Sequence, residues 1–208
     1  IFFFVYRVDY WFVENYCTAN ELGNYIQVSK IVQWFLLIPM MIGTAIFPLT
    51  ASGKNAGIVN KVVSISRLLL WIYLLDCIGL AITGYWIFVL VFGETYTYMY
   101  PVFLFFFPGI LALASLYSVS SYHAGIKRVD INLKGSLLAL LVIIVINVLF
   151  TPIYGIYAAS VASSVGYVLY FIFSLYFFNR RHKIKLYQFF KPVTSDYTSL
   201  KSMLDKPQ

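Results

Sequence analysis

The sequence predicts an all-α polytopic membrane protein, with six transmembrane helices in one bundle over residues 1–178 and a basic tail over residues 179–208. Three observations predict it. The 208 residues are 61% hydrophobic and only 11% charged, where a soluble domain carries about 25% charge. Apolar runs of membrane-spanning length recur six times along the chain. The basic residues fall almost entirely in alternate connections between those runs. Aromatic residues make up 20% of the chain, which suits interfacial anchoring and the lining of a lumen.

A helix crosses the hydrocarbon layer in about 20 residues. The first run, residues 1–16, is short, and it opens on Ile1 with no basic leader or cleavage site before it. It therefore reads as a helix entered partway, in a fragment of a longer chain. The following runs are residues 25–49, 67–92, 101–122, 134–150 and 153–178. The last two are separated on length. Residues 135–178 carry no charge, and as one helix they would reach roughly 65 Å, about twice the hydrocarbon thickness. The TPIYG stretch supplies the reversal, since Pro152 breaks the helix and Gly155 frees the backbone. Pro39 and Pro108 lie inside the second and fourth runs, where each predicts a kink, either a static bend or a hinge.

Lys54, Lys61 and Arg67 follow the second run, Lys127, Arg128 and Lys134 follow the fourth, and seven basic residues follow the sixth. Thirteen of the fifteen Lys and Arg residues thus fall on one side, which the positive-inside rule makes cytoplasmic. The alternate connections, residues 18–24, 93–100 and 151–153, have none and carry Glu21 and Glu94. Six spans place the C-terminus on the cytoplasmic side, where the tail meets anionic inner-leaflet lipids. Its last residues read as mostly disordered.

Several function classes are excluded. The net charge of +7 forms no basic stripe interleaved with exposed aromatics, so nucleic acid is not a partner. Cys17 and Cys77 stand in unrelated contexts without ligand spacing, which argues against a metal site or a disulfide framework. His123 and His182 end the fourth and sixth runs with no acid or nucleophile at motif spacing, so they read as interfacial. The longest connection, residues 50–66, holds no His, Asp or Glu. A membrane-embedded enzyme has no catalytic constellation to rest on, and the chain is not read as an enzyme.

The residues that carry chemistry are charges inside apolar runs, which cost free energy and mark either internal pairs or a hydrated path. FFFVYRVDYWFVENYC holds Arg7, Asp9 and Glu14. At 1.5 Å per residue, Arg7 lies roughly 14 Å below the outer end of its helix, near the midplane. Arg7 and Glu14 share a helix face with Tyr10 and Trp11 between them, while Asp9 points about 200° away. Lys30 enters the second run with Gln33 a turn deeper, and Asp76 sits within the third. Arg7 and Lys30, with Gln33, Tyr10 and Trp11, are the candidates for a cavity that meets anionic cargo. The guanidinium fork suits phosphate. Asp9, Glu14 and Asp76 are candidates for ion coupling or for internal pairing. The ridge Gly155, Ala159, Ser163 and Gly166 reads as a close helix-packing seam.

Three stretches carry a family resemblance. RVDYWFVENYCTANELGNYIQVSKIVQWFLLIPMMIGTAIFPLTA resembles the start of the C-terminal half of polysaccharide flippases, with a charged helix, a GxY element at Gly23 and Tyr25, and a helix ending in Phe47-Pro48. VFGETYTYMYPVFLFFFPGI is similar to their FG loop and next helix. NVLFTPIYGIYAASVASSVGY is similar to their proline-glycine hairpin, with Tyr157 in place of a second glycine. The chain thus resembles the Wzx-type O-antigen and capsule polysaccharide flippases of the MATE-like superfamily over about residues 2–192. The resemblance implies a two-bundle transporter of which this chain is the C-terminal lobe, its N-terminal bundle lying outside the sequence. It implies a bacterial inner membrane, an undecaprenyl-pyrophosphate-linked oligosaccharide as cargo, and no cofactor. A cation-coupled multidrug antiporter of the same superfamily is the alternative.

Overall fold

The computed structural model describes residues 2–5, 7–53, 57–184 and 186–191. These form eight helices: α1 (Phe2–Val5), α2 (Val8–Tyr16), α3 (Ala19–Phe35), α4 (Leu37–Ala51), α5 (Ile58–Phe92), α6 (Met99–Gly125), α7 (Val129–Tyr154) and α8 (Ile156–His182). Short three-ten turns cover Glu94–Tyr96 and Leu186–Phe189, and there is no strand among the described residues. Five segments are long and apolar enough to cross a membrane: α3 with α4 together, α5, α6, α7 and α8. The protein is an all-α multi-pass membrane protein. The expected first span is not among them: residues 2–16 hold α1 and α2, with Arg7 between them outside either helix.

Helix boundaries reach further than hydropathy implied, because capping residues lie outside the apolar runs. Thr18 and Glu21 form a reciprocal capping box: the Thr18 hydroxyl accepts from the Glu21 amide at 3.3 Å, and Glu21 accepts from the Thr18 amide at 2.9 Å. The anticipated 18–24 loop is therefore mostly helix. The anticipated long connection at 50–66 is short too, since α4 ends at Ala51 and α5 begins at Ile58. Arg67, expected in that connection, is buried within α5 and donates to the Gln188 carbonyl at 2.5 Å. Trp71 donates from its indole to the Phe190 carbonyl at 2.9 Å, and Phe189 is buried. Residues 179–184 and 186–191 therefore belong to the bundle: Asn179 to His182 close α8, and the turn at Leu186–Phe189 is fastened to α5. Residues 192–208, expected to be disordered, lie outside the described residues.

Proline proved a poor guide to helix ends. Pro152 stays inside α7, and the reversal falls at Gly155 alone, with φ +57° and ψ −138°. That backbone region is open essentially only to glycine, so the glycine makes the turn. Pro108 lies within an unbroken α6. Pro39 does disturb its helix, one turn earlier: α3 ends at Phe35 and α4 starts at Leu37. Having no amide hydrogen, Pro39 leaves the Phe35 carbonyl without its helical donor. The Tyr73 hydroxyl of α5 donates to that carbonyl instead.

The core is the α6–α7–α8 group, with α8 packed extensively on both α6 and α7. Small residues allow the approach. A Cβ on Gly166 would come within 2.5 Å of the Ile143 side chain, and one on Gly109 within 2.9 Å of the Ser164 Cα. Ala159, Ala162 and Ser163 are fully buried on the same α8 face, as the small-residue ridge implied.

The connections sort to two ends. At one, Asn24 donates to the Thr95 carbonyl at 3.1 Å, and a Cβ on Gly155 would sit 3.5 Å from the Cys17 sulfur. This end carries Glu21 and Glu94. At the other, a Cβ on Gly125 would be 2.6 Å from Thr50, and the Tyr122 hydroxyl meets His182 Nε2 at 2.7 Å. The second end carries Lys127, Arg128, Arg180, Arg181 and Lys183. The alternation read from charge is thus the alternation of helix ends in space.

Candidate functional site

Both helix interruptions open onto one cavity of about 360 Å³. Arg7, at the α1–α2 break, forms one wall, and Leu36 and Leu37, at the α3–α4 break, form another. Asp9, Ser29 and Gln33 add polar atoms, and Tyr117 and Tyr167 add aromatic faces from α6 and α8. Irregular backbone at membrane depth is tolerated where it lines a cavity or is buried in protein. Two broken helices meeting across a cavity is also the arrangement by which transporter sites are built.

Arg7 is half-buried. Its Nη2 donates to Gln33 Oε1 at 3.5 Å, a long and weak bond. Its guanidinium carbon lies 5.0 Å from the centroid of the Tyr10 ring, within cation–π range. Among the described residues no carboxylate pairs with it. The guanidinium therefore keeps most of its donors for whatever enters the cavity. The Tyr10 hydroxyl lies beside Ser29 and Gln33, yet among the described residues neither the Tyr10 nor the Ser29 hydroxyl makes a hydrogen bond of good geometry. Buried polar groups left open in this way call for water or a ligand.

Asp9 differs in kind. It is 2% exposed. One oxygen accepts from the Tyr25 hydroxyl and from Ser163 Oγ, the latter at 2.9 Å, and the other accepts from the Tyr10 amide at 3.0 Å. The carboxyl thereby ties α2 to α3 and α8 with no cation bonded to it among the described residues. Counting from Thr18 and from Gly155, it lies about 12–14 Å inside the acidic end, close to mid-depth.

The expected opposition of Arg7 and Asp9 is overturned. The 200° estimate assumed one continuous helix, but Arg7 precedes α2 with φ −139° and ψ −14°, so both residues reach the same cavity. Arg7, Tyr10, Asp9 and Gln33 are brought together. Trp11 is not, being 58% exposed and edge-to-face with Phe12. Glu14 is exposed near the acidic end. Lys30 and Asp76 are also exposed and do not line this cavity. Ser29, Tyr25 and Ser163 are site residues that sequence reasoning missed. A Ser29–Gln33 pair at i and i+4 could have flagged a polar stripe on α3. Tyr25 and Ser163 gave no signal beyond their packing motifs.

Comparison with known protein families, with curated proteins and with solved structures returns no match.

Proposed function

We propose that the chain is one bundle of a transporter that moves a lipid-linked, pyrophosphate-bearing oligosaccharide across a bacterial inner membrane, as its resemblance to the Wzx-type flippases implies. The observation that carries the reading is Arg7: a guanidinium at a helix break, lining a mid-depth cavity with no carboxylate partner among the described residues. A fixed positive charge lowers the cost of bringing a diphosphate into a low-dielectric layer. Gln33 and the open hydroxyls of Tyr10 and Ser29 suit sugar hydroxyls and phosphate oxygens.

Two exposed residues support a second bundle. The Tyr73–Phe35 hydrogen bond sets α5 level with α3. Lys30 lies five residues from that level and Asp76 three, both in the direction of the acidic end, so their heights agree within about 3 Å. Charges at such depth avoid lipid. They fit a hydrated cleft between this bundle and its N-terminal counterpart. By the positive-inside rule the basic end faces the cytoplasm.

The test is Arg7→Ala and Gln33→Leu in the full-length protein, scored by surface polysaccharide in a strain lacking its own flippase. Arg7→Ala abolishes export and Arg7→Lys restores part of it. Undiminished polysaccharide in Arg7→Ala at equal protein level removes Arg7 from the mechanism. Asp9 supports a second reading, a cation-coupled multidrug antiporter, because a buried carboxyl without a bonded cation suits positively charged cargo or a proton. Rescue of drug tolerance in an efflux-deficient strain, lost in Asp9→Asn, selects that reading.

A further inference from the structure

A second cavity, of about 250 Å³, lies at the basic end, away from the cargo cavity. The end of α6, the start of α7 and the end of α8 enclose it. His123, Arg128, Arg180 and Arg181 supply its polar wall, and Ile126, Ile131 and Phe177 its apolar wall. Its charge is unbalanced. Arg128 is forked onto Asp130, with Nε to Oδ1 at 2.8 Å and Nη2 to Oδ2 at 3.1 Å, so that pair is neutral. Arg180 and Arg181 are exposed, and among the described residues no carboxylate pairs with either. With His123 neutral, the pocket holds a net charge of about +2 at neutral pH.

The geometry is built. Lys127 turns the chain with φ +61°, a conformation that costs a non-glycine residue free energy. The turn is held by Arg128 N donating to the His123 carbonyl at 2.8 Å and Lys127 N to the Ala124 carbonyl at 3.0 Å. His123 is 1% exposed and anchored by Nδ1 to Ser174 Oγ at 3.2 Å. Two guanidinium forks with no carboxylate partner among the described residues, beside an apolar wall and at the level where helices leave the membrane, match one ligand chemistry. The forks bind phosphate oxygens in pairs, and basic pockets between helices at this depth hold anionic headgroups.

We propose that this pocket binds a phosphate-bearing anion, with the phosphodiester headgroup of an anionic membrane lipid as the source the apolar wall favours. The site is independent of the cargo reading, since it shares no residue with the Arg7 cavity.

The experiment uses the full-length protein in neutral detergent and native mass spectrometry. Phosphatidylglycerol, phosphatidylcholine and inorganic phosphate are added separately. Phosphatidylglycerol is retained at least tenfold better than phosphatidylcholine, and Arg180→Gln/Arg181→Gln brings it down to the phosphatidylcholine level. Arg180→Lys/Arg181→Lys keeps the charge without the fork and retains an intermediate amount, whereas Lys183→Gln changes retention little. Phosphate that binds and competes, alongside lipid retention, supports the shared chemistry. Phosphate binding without any preference for phosphatidylglycerol assigns the site to a soluble anion and overturns the lipid source. Equal retention by wild type and the double glutamine variant, each with an unchanged melting temperature, overturns the site.

Discussion

The α6–α7–α8 core and the α1–α4 segment are made of similar apolar residues, yet they treat their irregularities in opposite ways. In the core, Pro108 and Pro152 sit inside continuous helices, and beside Pro108 the Ser164 hydroxyl of α8 donates to the Phe105 carbonyl at 2.5 Å where Gly109 lets the two helices approach closely. In the α1–α4 segment the helices come apart at Arg7 and at Leu36, although no proline lies near Arg7. The second region also supplies polar partners, Tyr73 for the Phe35 carbonyl and Gln33 for Arg7, but its breaks open onto a cavity and not onto a packed helix. A proline in a helix interior costs one hydrogen bond. Whether the helix breaks depends on what surrounds that lost bond.

The largest effect belongs to the core. Gly109→Leu drives a side chain against the Ser164 backbone and the Tyr167 ring, at 2.9 and 3.1 Å from the new Cβ. Backbone cannot yield as a side-chain tip can, so the expected loss is about 3 kcal/mol. Reversible unfolding in mixed micelles measures it. A loss no larger than that of an exposed-face substitution would mean α6 and α8 are not locked together.

A smaller effect tests the broken region. Tyr73→Phe leaves the Phe35 carbonyl unsatisfied and costs about 2 kcal/mol. Pro39→Ala restores an amide that can serve the same carbonyl, so in that background Tyr73→Phe costs clearly less. A double-mutant cycle reads the difference directly. Additive costs would show that the hydroxyl is not replacing the bond that proline removes.

This contrast also explains what the sequence made legible. Hydropathy predicted six spans, five of which are helices long and apolar enough to cross a membrane, and charge alternation sorted their ends into a basic and an acidic set, because apolar length and the placement of Lys and Arg are written locally. The small-residue seam on α8 was equally visible. The Arg7–Asp9 arrangement was not, because it depends on a helix break that no local residue announces. Lys30 and Gln33 looked equivalent in sequence, yet only Gln33 reaches the cavity; three positions of helical rotation decide it. Tyr25 and Ser163 became partners of Asp9 through contacts 16 and 154 residues apart, which periodicity cannot show.

Within the α1–α4 segment lies the α2–α3 connection, and its stability sharpens the comparison further. Thr18→Ala removes one half of the capping box and costs about 1 kcal/mol. If α3 is held mainly by the Asp9–Tyr25 and Tyr73–Phe35 bonds, that loss frays only its first turn. Amide exchange then speeds at the Glu21 amide while the α8 amides stay protected. Uniform acceleration across α3 would instead make the cap the main support of the broken segment.

Cys17 reports on the same connection with the smallest perturbation. Burial, and secondly the charge of Glu21, push its thiol up to about 11. The folded protein holds the thiol proton more tightly than the unfolded chain does. This contribution to stability is therefore complete below the ordinary thiol range and is lost as pH rises through it toward 11. Only the thiolate reacts, so in a Cys77→Ser background maleimide labelling at neutral pH runs about 100-fold slower than for a free thiol and rises roughly tenfold per pH unit. Glu21→Gln keeps an acceptor for the Thr18 amide, removes the lesser cause and quickens labelling modestly. A rate equal to that of a free thiol would mean the connection opens readily and that its thiol leaves the shelter of Gly155. The region of broken helices would then be the mobile half of the bundle, set against a core that stays closed.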